Sequence, residues 1–187
     1  MKTVTYTAAL AVANAIKTSI ATVASIATYS GVALNGAIGQ AVMNPPRTIS
    51  VTAAASAGSY VAGSTIVITG RDSQGSLITE TLTLVGTDGT ETLVTTQGFK
   101  SVTSIVIAAQ VNTSGAWTVG VRDVAFGPDK PYAIRAVATG ALKLGYGGGS
   151  VTDIIPAVAA LETLQVSPDK IYGDASTTVV GMTLFFK

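Results

Sequence analysis

Ile66-Val-Ile-Thr-Gly-Arg-Asp-Ser-Gln-Gly75, two copies of Thr-Glu-Thr-Leu (79–82 and 90–93), Phe99-Lys-Ser-Val-Thr-Ser-Ile105 and Trp117-Thr-Val-Gly-Val121 together decide the fold. These are five short runs rich in Val, Ile and Thr, divided by turns bearing Gly, Asp, Asn and Ser. β-Branched residues fit a pleated surface, and Gly, Asp and Asn supply the turn conformations between strands. The stretch therefore predicts an antiparallel β domain. Nothing in it has the look of a reaction centre.

Outward from that stretch, composition narrows the function classes. The chain has 187 residues, enough for one ordinary domain or two small ones with a real core. It is 48% hydrophobic but only 11% charged, well below the usual quarter. Such a chain either has its surface covered by neighbours or is a compact β protein with a neutral surface. Its 11 basic and 10 acidic residues leave a net charge of +1 and are scattered mostly singly. With no basic stripe, the electrostatic footprint of a nucleic-acid binder is missing. There is no cysteine and no histidine. That removes thiolate nucleophiles, cysteine metal sites, disulfides, and the commonest general base and metal ligand. The expectation is no enzyme, no cofactor, and no catalytic or metal-binding residue.

Ala8-Ala-Leu-Ala-Val-Ala-Asn-Ala15 has the length of a signal-peptide apolar region, but only Lys2 precedes it as a positive side chain, and Thr3, Thr5 and Thr7 interrupt the approach. No window of about 18 residues is free of Lys, Thr, Ser and Asn, so no transmembrane helix is expected. Cytosolic synthesis without export follows as the expectation.

Residues 1–44 are ambiguous. Ile16, Ile20, Val23 and Ala27 fit a helical stripe, whereas Ile16, Thr18, Ile20, Thr22, Ala24 and Ile26 fit a period of two. Extended structure is favoured from about Lys17 to Thr28, after a first 15 residues read as an arm, helical or not, that orders against a partner. Turns follow at Ser30-Gly31 and Asn35-Gly36. Asn44-Pro45-Pro46 blocks helix and leads into a strand at Arg47–Ala53. Strands are then predicted at Ser64–Thr69, Leu77–Val85, Glu91–Thr96, Phe99–Ala108 and Trp117–Val121. The turns between them lie at Ser56–Ser59, Asp72–Gly75, Gly86–Gly89, Gln97-Gly98 and Asn112–Gly115. Phe126-Gly-Pro-Asp-Lys-Pro131 reads as a linker. Beyond it, strands are predicted at Ala133–Thr139, Ala141–Tyr146, Val151–Ile155, Glu162–Val166, Ile171–Gly173 and Thr177–Phe186. This last segment either forms its own small core or shares one with the first part.

The Gly86–Gly89 loop predicts a hairpin with Leu82 opposite Leu93 and Leu84 opposite Glu91. Leu82, Leu84 and Leu93 then share one face with Glu80 and Glu91 at its margins, while Thr79, Thr81, Thr83, Thr92 and Thr96 share the other. Glu80 and Glu91 are the carboxylates this register brings together; without a cleft they are solvated edge residues rather than an acid–base pair. Gly145-Tyr-Gly-Gly-Gly-Ser150 lacks the Lys and the helix of a phosphate loop and reads as a turn. Asp153, Asp169 and Asp174 do not have calcium-loop spacing. Trp117 reads as a core anchor, and Tyr132, Tyr146 and Tyr172 are spread through the chain.

The run Ile68-Thr-Gly-Arg-Asp-Ser-Gln-Gly-Ser-Leu-Ile-Thr-Glu-Thr-Leu-Thr83, with Phe99-Lys-Ser-Val-Thr-Ser104 and Trp117-Thr-Val-Gly120, resembles small virion structural proteins of tailed bacteriophages. Asn35-Gly36, Pro46-Arg47 and Val166-Ser-Pro-Asp-Lys-Ile-Tyr-Gly-Asp-Ala-Ser-Thr-Thr178 look similar to the same group, so the resemblance touches roughly residues 35–187. It implies a protein without a catalytic site, present in many copies and placed on the virion after synthesis in the host cytoplasm. The fold expectation is all-β: an antiparallel β-sandwich, jelly-roll-like, as two small β domains (35–126 and 127–187) with an N-terminal arm or first strands (1–34). The function expectation is a capsid decoration, or cement, protein on the head surface. Its partners would be the major capsid protein and copies of itself, as a homotrimer, with neither nucleic acid nor membrane. A tail or neck component (tube, adaptor or fibre-base subunit) is the alternative, and a carbohydrate-binding module using the aromatics is a third.

Overall fold

The computed structural model describes residues 2–7, 11–21, 23–55, 61–86, 89–110, 116–128, 130–147, 151–173 and 181–187. The turns predicted at Ser56–Ser59 and Asn112–Gly115, the tip of the Gly86–Gly89 loop, Gly148–Ser150, Asp174 and the start of the predicted final strand lie outside these residues. The chain is all-β. Its strands are β1 (Lys2–Thr7), β2 (Val12–Ala21), β3 (Ala27–Ser30), β4 (Arg47–Ala55), β5 (Thr65–Arg71), β6 (Leu77–Thr83), β7 (Gly89–Val94), β8 (Ser101–Ile107), β9 (Ala116–Ala125), β10 (Ala133–Ala136), β11 (Gly140–Tyr146), β12 (Val151–Val158), β13 (Thr163–Leu164), β14 (Lys170–Ile171) and β15 (Gly181–Phe186). Among the described residues the helical content is a 3-10 turn at Gly31–Ala33.

The strands form three sheets, antiparallel at every described pairing. A four-stranded sheet runs β3-β8-β5-β6; a seven-stranded sheet runs β12-β11-β14-β9-β4-β7, with β2 also on β9; and a four-stranded sheet runs β1-β15-β10-β13. Strand β9 is the spine. Strand β4 follows one of its edges from Ala116 to Val124, while the other edge is divided between β2 (Ala116 to Val121) and β14 (Val124 and Ala125).

Two apolar cores result. The first lies between the β3-β8-β5-β6 sheet and the β2-β9-β4-β7 region, where Ile16, Ile20, Ile49, Val51, Trp117, Val119 and Val121 meet Ile66, Ile68, Leu82, Phe99, Ile105 and Ile107. The second gathers Val124, Leu142, Leu144, Val158 and Ile171 against Ile134, Ala136, Met182 and Leu184 of the third sheet. The period-two alternation explains this arrangement, since alternate residues of each strand point into a core and their neighbours out.

Two sequence expectations change. Residues 2–7 and 12–21, within the stretch whose sequence leaves helix open, are strands. β1 pairs along β15 with Lys2 opposite Phe186, and β2 buries Ala15, Ile16 and Ile20. The close approach of β2 to β9 depends on Gly120, where an added Cβ would lie 1.9 Å from the Val12 carbonyl oxygen.

The predicted pairing of Leu77–Val85 with Glu91–Thr96 does not form. β6 instead pairs with β5, Leu82 facing Ile66, and β7 pairs with β4, Leu93 facing Val51. The β5–β6 hairpin forms at a chemically prepared loop, and β6 keeps its other edge open while β7 crosses to β4. The Asp72 carboxylate accepts from Gln74 N and Ser76 N, both at 2.9 Å, and Gly75 takes φ +86°. Leu82 and Leu93 do face one core, but from opposite sheets.

Candidate functional site

The Thr-Glu-Thr-Leu repeats do their work at this crossing between sheets. The Glu80 carboxylate accepts from Thr96 N at 2.6 Å, Thr96 Oγ1 at 3.1 Å and Gln97 N at 3.0 Å. The Glu91 carboxylate accepts from Val85 N and Gly86 N, each at 3.0 Å. Each glutamate thus holds the two backbone N–H groups that follow the other by five and six residues: Val85 and Gly86 after Glu80, Thr96 and Gln97 after Glu91. The arrangement is a reciprocal clamp that joins the ends of β6 and β7. With both carboxylates engaged by backbone donors, it is built for holding chain segments together, not for proton transfer.

Outside the clamp, the β3-β8-β5-β6 sheet presents an outer face that is uncharged across its centre, with Arg71 at one margin. Registered rows across its four strands read Thr28–Val106–Val67–Thr81 and Ser30–Ser104–Thr69–Thr79. Thr69 Oγ1 and Thr79 Oγ1 lie 3.3 Å apart. The rows on the opposite face, Ala27–Ile107–Ile66–Leu82 and Tyr29–Ile105–Ile68–Glu80, supply the core. Eight positions of the outer face therefore carry no ionisable group.

A cleft of about 650 Å³ opens where the two cores meet. Its wall comes from β1 (Lys2, Val4), the Met43–Pro46 segment with its cis Asn44–Pro45 bond, Ser73 of the β5–β6 turn, Lys100, Phe126–Pro128, Lys130, Tyr132, Ser167, and Phe186 with Lys187. Phe126 and Phe186 meet edge-to-face at 6.2 Å between ring centroids, and Tyr132 lies 6.3 Å from Phe185. No Asp or Glu side chain appears among the described wall residues, whereas four lysines do. Lys130 pairs with Asp169. Lys100 Nζ donates to the Ser73 carbonyl oxygen at 3.4 Å, and the Ser73 hydroxyl is buried with no hydrogen-bond partner among the described residues. A smaller cleft of about 320 Å³ continues past Ser73 and Gly127.

Between the cores lies a buried polar cluster. Asp123, 3% exposed, accepts from Gly173 N at 2.9 Å and has Lys170 Nζ 4.0 Å away. Its own N–H donates to Thr48 Oγ1 at 2.8 Å, and the Arg47 guanidinium donates to the Arg122 carbonyl oxygen.

The sequence candidates are dispersed. Trp117 is fully buried in the first core. Tyr132 reaches the large cleft, Tyr146 packs on the second core, and Tyr172 lies under Lys143 Nζ at 4.8 Å and Lys170 Nζ at 5.8 Å. Asp169 is committed to Lys130, and Gly147 takes φ +59° as a turn residue. Among the described residues no group of three or more carboxylates could hold a metal ion. The lysine cleft escapes a linear reading, because its cations sit at positions 2, 100, 130 and 187 and only the folded chain gathers them. No protein-family model, curated protein or solved structure matches the chain.

Proposed function

We propose that the chain is a non-enzymatic structural protein of a tailed-bacteriophage virion, acting as a capsid decoration (cement) protein. In this reading it binds the major capsid protein and copies of itself, as a homotrimer, on the head surface. The supporting observation is the outer face of the β3-β8-β5-β6 sheet, whose two central rows of Thr, Ser and Val carry no charge, with Arg71 at one margin. A face of this kind loses little on desolvation compared with one bearing ion pairs, so repeated copies can cover it. Many weak contacts fixed by symmetry then add by avidity. The motif resemblance and the absence of histidine and cysteine support the same reading.

The test is immunolabelling of intact particles with an antibody against residues 128–187. Label distributed over the head is the expected result. Label confined to tail or neck would replace the cement reading with a tail component, and no label on any particle would remove the virion assignment. Light scattering on the purified protein should give three times the chain mass. A monomer would remove the homotrimer.

A further inference from the structure

Of the chain's 11 basic residues, four line one cleft, and they arrive from four separate segments: Lys2 on β1, Lys100 before β8, Lys130 in the connection after β9, and Lys187 after β15. Among the described residues Lys130 alone of these has an ion-pair partner. The wall between them is mixed: Asn44, Ser73 and Ser167 stand beside Phe126 and Phe186, which are in edge-to-face contact. At about 650 Å³ the cleft falls within the size range of ligand-holding pockets. Converging backbone N–H groups or a forked guanidinium would suit one compact oxyanion. Flexible ammonium groups set around partly exposed phenylalanine rings instead suit several separated negative charges with apolar groups between them.

We propose that this cleft is a binding site for an acidic peptide segment carrying apolar side chains, supplied by a neighbouring protein. The carboxylates pair with Lys2, Lys100 and Lys187, and the apolar side chains pack on Phe126 and Phe186. This holds whether or not the protein belongs to a virion, since it rests only on the cleft.

The experiment uses the full chain and two fluorescein-labelled peptides, one alternating glutamate with leucine and one with glutamine in place of every glutamate. Sodium tripolyphosphate is titrated separately. The glutamate peptide should bind at least about tenfold more tightly than the glutamine peptide, with affinity falling as salt rises. A Lys2→Gln/Lys100→Gln/Lys187→Gln variant should weaken binding about tenfold, three partly exposed pairs each contributing a few-fold. Lys143→Gln, away from the cleft, should bind as the parent does. If the triple variant does not fold, amide-shift mapping on the parent gives the decision: Ser73 and Phe126 must shift when the glutamate peptide is added. Equal affinity for the two peptides, an unaffected triple variant, or shifts elsewhere would overturn the proposal. So would binding of tripolyphosphate without the peptide, which would make the lysines a small-anion site.

Discussion

Replacing Glu80 or Glu91 by glutamine is the sharpest test of how this fold is held, because it removes charge and one acceptor while keeping shape. In each clamp a carboxylate serves two backbone N–H donors, and glutamine leaves one of them facing an amide NH2 group. A hydrogen bond to a charged group contributes roughly 1.5–3 kcal/mol when shielded. These bonds lie near solvent, where water replaces much of what is lost, so about 1 kcal/mol per substitution is expected. Because both clamps join the same ends of β6 and β7, opening one loosens the geometry the other needs. The double variant should therefore depart from additivity by about 0.5–1 kcal/mol. Urea unfolding followed by Trp117 fluorescence reports this directly, since the single Trp is fully buried. The partners are backbone dipoles rather than opposite charges, so the losses should change little between low and high salt. Losses below about 0.3 kcal/mol for both single variants, or losses that vanish in 0.5 M NaCl, would refute the clamp.

Gly120→Ala should destabilise by about 2 kcal/mol or more and detach β2 from β9, seen as faster amide exchange from Val12 to Ala21, because the new Cβ would fall 1.9 Å from the Val12 carbonyl oxygen. Asp123→Ala should lower stability by about 1–3 kcal/mol in urea titrations by orphaning Gly173 N–H, with Asp123→Asn costing less because it keeps an acceptor there. Deleting residues 1–30 should leave no cooperative thermal transition, since Ala15, Ile16 and Ile20 leave the first core and β1 leaves β15. Removing residues 1–7 alone, which takes β1 from β15 but leaves the first core's residues in place, should keep a single cooperative transition at a lower temperature.

The strands were legible because alternation is a local signal. Ile66, Ile68, Ile105 and Ile107 announce a buried face without knowledge of any partner. Pairing is a longer-range matter. Leu82 and Leu93 look like hairpin partners, and the core they share is real, yet β7 takes β4 as its neighbour and leaves the second edge of β6 open. The N-terminal strands were harder for a different reason: Ala13, Ala15 and Ala21 have little β preference, and β2 is strand because Gly120 lets it lie close on β9. Glu80 and Glu91 were visible as a pair but not as reciprocal caps, because their donors are main-chain groups that no residue type announces. The cleft left no linear trace at all, its lysines being almost the length of the chain apart.

Strand β9 places Trp117, Val119 and Val121 in one core and Val124 in the other, with Asp123 held between them. Fraying either end of such a strand loosens ladder bonds on which the opposite core relies, so the two halves should share one unfolding event rather than melt in sequence. A neighbour that grips only the β10–β15 region would then raise the melting temperature of the whole chain. Stabilisation applied at one end would travel along ten residues of backbone to the other.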